Sequence, residues 1–172
     1  NSTSAVNSEI NRSTSLVHQG NLYVTSNIIT GGGDTDVMTI AYSNNGDTLW
    51  VKTQSGSLSG GNDYGIDLAV DPVGDIIVTA AVENSSTGHD YSVFHYDSDD
   101  GTLNWSQAWN GAGNGVDIPA DIKVDGSGNT YVAGGSEATD GFSDYAIVKL
   151  SPAGTILWST TYDYNDLHDA AT

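Results

Sequence analysis

Carboxylates dominate the reactive chemistry of this chain. Of its 172 residues, 19 are Asp and three (Glu9, Glu83, Glu137) are Glu, against four Lys and Arg, four His and no Cys. Two Asp pairs, Asp63 with Asp67 and Asp117 with Asp121, are the residue types of a glycosidase acid and base, provided each pair flanks a cleft at the right separation. Both pairs recur at one interval along the chain, however, and catalysis needs a single asymmetric site. The columns are therefore expected to serve turns and strand ends, where Asp bonds its own backbone. Calcium is the second chemistry on offer, because it takes several hard oxygens from short acidic loops. Its candidate ligands are Asp97 and Asp99, in Asp97-Ser98-Asp99-Asp100-Gly101, and Asp125 and Asn129, in Asp125-Gly126-Ser127-Gly128-Asn129. Neither loop carries the bidentate Glu of an EF-hand and both fall at expected hairpin turns, so turn chemistry is again the simpler reading.

Other residue types point less far. His18, His89, His95 and His168 show no ligand spacing, and a zinc site would need a convergence in space that spacing does not reveal. No Gly-x-Ser-x-Gly elbow anchors a nucleophilic Ser. Gly31-Gly32-Gly33 and Gly60-Gly61 do not open helices, which removes the usual phosphate cradle. The chain is accordingly expected not to be an enzyme and to need no cofactor, with calcium the sole candidate. Trp50, Trp105 and Trp158 share one column and are expected to dock one structural unit on the next. Trp109 stands outside that column, aligned with Tyr162, and is the better candidate for a surface aromatic that a glycan would stack on. Asn1, Asn11, Asn84 and Asn104 head Asn-x-Ser/Thr sequons, of which Asn84, in an expected loop, is the most accessible.

Short strands must position these residues. Asp favours turns where Glu favours helices, and the strong helix formers are sparse. The 21 Gly, with Ser, Thr and Asn, separate short runs of Val, Ile, Tyr and Trp, which is an all-β composition. A hydrophobic content of 37%, with four Trp and nine Tyr, argues for a packed core over a disordered linker. The runs also repeat. Gly20-Asn21-Leu22-Tyr23-Val24-Thr25 returns 54 residues later as Gly74-Asp75-Ile76-Ile77-Val78-Thr79, and 54 later again as Gly128-Asn129-Thr130-Tyr131-Val132-Ala133. Asp36, Asp90 and Asp144 keep this period, and turn glycines Gly46, Gly101 and Gly154 precede the Trp column. Each copy contains four strands, for example 66–70, 75–82, 91–96 and 103–109, with a loop at 83–89. Four antiparallel strands per repeat make one blade of a β-propeller.

The string Gly-Asn-x-Tyr-Val-x-Gly, then Asp-Tyr-x-x-x-Lys-Leu, then Gly-x-x-Leu-Trp-Ser-x-x-Tyr, clearest at 128–162, resembles a bacterial β-propeller repeat family of secreted and cell-surface proteins. The Gly-x-x-x-Trp segment is similar, more weakly, to pyrroloquinoline-quinone-type propeller repeats. The resemblance covers residues 20–172; it implies an extracellular or cell-surface setting and brings no catalytic motif.

Closed propellers use roughly four to eight blades. Here 1–19 reads as an N-terminal segment with a first strand, 20–73, 74–127 and 128–172 as three repeats, and 166–172 as the truncated start of another. A chain opening at Asn1 reads as a processed product or a fragment. The expected fold is an all-β array of about three blades, open or completed by self-association, because open arrays expose apolar faces and strand edges. The expected function is structural or adhesive, as a surface-layer or fibre subunit whose partner is itself; a glycan-binding module, or a fragment of a secreted hydrolase or lyase, is the alternative. A formal charge of −18 argues against nucleic acid, and no run of 18 apolar residues inserts in a bilayer.

Overall fold

A computed structural model describes residues 13–163; the sequons at Asn1 and Asn11, His168 and the 166–172 segment lie outside them. The described residues form twelve strands and no helix, arranged as three four-stranded antiparallel sheets. Blade 1 is β1 (Thr14–His18), β2 (Asn21–Ile29), β3 (Thr35–Tyr42) and β4 (Thr48–Gln54). Blade 2 is β5 (Tyr64–Val70), β6 (Ile76–Asn84), β7 (Gly88–Tyr96) and β8 (Leu103–Trp109). Blade 3 is β9 (Asp117–Val124), β10 (Thr130–Glu137), β11 (Ser143–Leu150) and β12 (Ile156–Tyr162). Strand order follows the chain in every sheet, so each blade is an up-and-down meander, and the array is not closed.

Local chemistry sets the turns. Asp71 Oδ1 accepts the backbone N–H groups of Val73, Gly74 and Asp75, each at 2.9 Å, and so closes the β5–β6 turn. Asp125 does the same for Ser127 and Asn129 in blade 3. Blade 1 uses a two-residue loop instead, Gln19-Gly20, with both φ angles positive (50° and 84°), the geometry that matches strand twist. The turn from β6 to β7 is tighter than the loop expected at 83–89, because Glu83 and Asn84 pair with His89 and Gly88. All three blades carry a register shift at one column, after Ala41, His95 and Lys149. Such a bulge sharpens the twist of the outer hairpin.

The core consists of two inter-blade layers. Tyr23, Val37 and Trp50 of blade 1 meet Ile76, Val78, Val82, Phe94 and Tyr96 of blade 2. Ile77, Tyr91 and Val93 of blade 2 meet Ile122, Val132, Ala146, Val148 and Leu150 of blade 3. Blade 2 is thus covered on both faces, which explains why β6 reads Ile-Ile-Val-Thr-Ala-Ala-Val without alternation. The first strands adjoin: Asp67 of β5 accepts from Thr14 Oγ1 of β1 and from the Ile122 N–H of β9, at 3.3 Å each.

Candidate assembly interface

Two members of the Trp column, Trp50 and Trp105, dock blade on blade, and they do so by one repeated device. Trp50 Nε1 donates across the first junction to the Ser98 carbonyl at 3.0 Å, and Trp105 Nε1 across the second to the Pro152 carbonyl at 3.0 Å. In both cases the indole ring lies on a glycine of the receiving hairpin. A Cβ added at Gly101 would stand 2.7 Å from Trp50 Cδ2, and one at Gly154 2.6 Å from Trp105 Cδ2. Both glycines also have positive φ, 70° and 79°, so the hairpin presents flat backbone where the ring must rest.

The two ends of the array hold the halves of this device that no described residue completes. Trp158 of blade 3 is 44% exposed, whereas its counterpart Trp50 is 7% exposed. Tyr145 is 43% exposed, and its counterparts in blades 1 and 2, Val37 and Tyr91, are 1% each. Ile147 and Tyr162 are exposed beside them. Register places Tyr145 opposite Tyr162 and Lys149 opposite Trp158, so these side chains share one face, largely aromatic and apolar with the Lys149 ammonium over the Tyr131 ring. At the other end, a Cβ at Gly46 would meet nothing within 4 Å. Next to it Leu22 is 36% exposed, while Ile76, its counterpart in blade 2, is fully buried under Trp50's blade. Among the described residues, blade 3 therefore leaves a Trp exposed on its outer face and blade 1 leaves a hairpin glycine uncovered on its own.

The column of Asp63 and Asp117 is engaged in backbone bonding. Asp63, almost wholly buried, accepts from the N–H groups of Gly56 at 2.9 Å and Glu83 at 2.7 Å, and Asp117 accepts from Gly111 N–H at 2.6 Å. Burial pushes the carboxyls of Asp63, Asp67 and Asp117 above the ordinary Asp range. Asp121, held by Lys123, lies below it. Of the calcium candidates, Asp97 caps its turn through the Asp99 N–H, Asp99 is exposed, and Asp125 is bonded by the Asn129 amide at 2.8 Å and the Tyr131 hydroxyl at 3.2 Å. These bonds hold the Asp125 carboxyl down at about 2. Asp36, Asp34 and Asp63 line an open cleft of about 440 Å³ with Thr30 and Ser55 and no aromatic ring, so it lacks a platform for stacking a sugar.

Two residues expected at the surface are placed differently. Asn84 is the last residue of β6, not part of a loop, and half-buried; its Nδ2 donates to Asp90 at 2.9 Å and its Oδ1 accepts from Ser57. Trp109 packs on Tyr91 with ring centroids 5.0 Å apart and belongs to the second inter-blade layer. Asn104 is exposed, but its amide donates to His95 Nδ1 and Asp75 Oδ2.

Spacing missed a convergence. His95 Nε2 lies 3.1 Å from Asp71 Oδ2 and 4.0 Å from Asp75 Oδ2, the one group of three or more His, Asp or Glu ligand atoms that comes together among the described residues. Burial raises the Asp75 carboxyl above its usual range. The three residues come from a turn and a strand about 20 positions on, but a signal was present, since the repeat column holding His95 has Ala41 in blade 1 and Lys149 in blade 3.

A comparison with protein-family models finds no match, and none is found among curated proteins.

Proposed function

We propose that this chain is a non-catalytic structural repeat protein, acting at the cell surface or outside the cell, that assembles head to tail with its knob face, around Trp158, seated on the hole face around Gly46 of a second copy. One observation carries the reading: the same Trp-on-Gly contact is made twice inside the molecule, and its donor half and acceptor half stand exposed at opposite ends. Faces that differ and complement each other give a heterologous contact, which closes into a ring if the rotation allows and otherwise extends as a filament. The acidic Ser/Thr/Asn-rich composition and the resemblance of the repeat to secreted propeller repeats support the extracellular setting.

Sedimentation velocity over a range of concentrations tests the assembly. The expected result is a mass that exceeds the 17.9 kDa chain and rises with concentration, and that returns to one chain in Trp158→Ala. Trp158 is 44% exposed and packs edge-on to Tyr131, so its removal should cost the isolated chain only about 1–2 kcal/mol and leave it folded. A wild-type mass of one chain at all concentrations would overturn the proposal.

A further inference from the structure

We infer that Asp71, Asp75 and His95 form a site for one divalent transition-metal ion of the zinc class, built into the middle blade alone. The ligand atoms all lie within 4.8 Å of one another, with His95 Nε2 at 3.1 and 4.0 Å from the two carboxylate oxygens. Ligands about 2.0–2.2 Å from a tetrahedral zinc stand roughly 3.3 Å apart, so small side-chain rotations seat the ion.

Each ligand is oriented by a group behind it. Asp71 spends Oδ1 on three turn N–H groups and Asp75 spends Oδ1 on the Ser98 N–H at 3.2 Å; Oδ2 of Asp75 takes only the long 3.4 Å bond from Asn104 Nδ2, which the ion would replace. His95 is 93% buried and lies flat against Trp105, with ring centroids 5.1 Å apart and planes within 11°. Its Nδ1 faces the side-chain amide of Asn104 at 3.2 Å. Nε2 faces the Asp71 carboxylate, which can only accept, and the Asn104 Nδ2 donates toward Nδ1. With metal on Nε2 the proton resides on Nδ1, and the Asn104 amide, turned over, accepts it through Oδ1. Backing of this sort by an outer hydrogen bond is usual for metal-bound His.

The repeat supplies an independent argument. At the positions of Asp71, Asp75, His95 and Asn104, blade 1 has Val17, Asn21, Ala41 and Leu49, and blade 3 has Asp125, Asn129, Lys149 and Leu157. Blade 3 closes the same turn with Asp125 and Asn129, so turn geometry requires neither the second carboxylate nor the imidazole nor the amide. These three depart from the repeat together, in one blade, and converge on one point. One imidazole with two carboxylates suits zinc and its neighbours, whereas calcium takes oxygen ligands. A water fills the fourth position. The ion would pin the β5–β6 turn to β7 directly beneath Trp105, which docks blade 3, and beside Ser98, whose carbonyl receives Trp50.

Calorimetric titration of the metal-stripped full chain with zinc tests the site, alongside Asp75→Asn and His95→Lys. Both variants install a residue that another blade already carries at that column, and folding is checked by circular dichroism. The expected result is one zinc per chain, an affinity at least about tenfold weaker in each variant, and a melting temperature raised by zinc in the wild type alone. Absence of binding by the wild type would overturn the site. So would variants that bind as tightly, which would place the ion on His18 or His89, or calcium binding as tightly as zinc.

Discussion

At the residue scale, Trp and Gly share one contact and must be judged as pairs. Gly154 and Gly46 both sit in hairpins with positive φ, 79° and 87°, so alanine at either pays the left-handed backbone cost of about 1–2 kcal/mol. Only Gly154 lies beneath an indole. Gly154→Ala must also push Trp105 off its seat, which adds about 1–3 kcal/mol for overpacking. Denaturant titration of the two variants in the Trp158→Ala background, where no second copy covers Gly46, should therefore separate them, with Gly154→Ala the less stable; equal losses would mean that the Trp–Gly contact does not hold the blades together. The docking role of Trp50 and Trp105 was legible from the column they share with Trp158. That Gly101 and Gly154 are the seats was not, because a turn glycine and a seat glycine look alike in sequence and differ only in what crosses above them.

At the scale of elements, a strand's resistance to opening should follow how many blades cover it. β6 is buried on both faces, whereas β12 is exposed along nearly its whole length. Native-state hydrogen exchange should accordingly find the slowest amides in β6 and β7 and much faster ones in β12, with uniform protection across the three blades as the contrary result. The strands themselves were readable from the repeat: 103–109 is found as expected, and 66–70 and 75–82 shift by two residues or fewer at each end. The 83–89 loop was misjudged because polar Glu83, Asn84 and His89 read as loop, yet they pair across the β6–β7 hairpin end. The Asp71–Asp75–His95 convergence was hidden for a different reason. It joins a turn to a strand two elements away, a distance no local pattern reports, and only the break in the repeat column marked it.

At the scale of the whole molecule, the charge of −18 acts on both folding and assembly. A carboxyl whose folded pKa lies above the unfolded value of 3.8 contributes stability in full below 3.8 and loses it as pH rises through the folded value. Asp63, Asp67 and Asp117 are of this kind, each raised chiefly by burial. Asp100, Asp121 and Asp125 are the reverse, since hydrogen bonds from Thr102, Lys123 and Asn129 lower them, and their contribution is lost as pH falls below 3.8. Acidification from neutral pH toward 3.8 should thus raise the melting temperature, helped by relief of self-repulsion, and further acidification should lower it. Scanning calorimetry across that range checks this; a steady fall from neutral pH downward would contradict it.

Head-to-tail docking is the central claim, and two crippled copies test it most directly. Trp158→Ala removes the knob and keeps the hole, while Leu22→Asp places a charge in the hole and keeps the knob. Light scattering should give one chain for either variant alone and a complex of two chains, one of each, for the mixture, because exactly one intact knob then meets one intact hole. A mixture that stays at one chain, or a Leu22→Asp variant that still assembles by itself, would contradict the account.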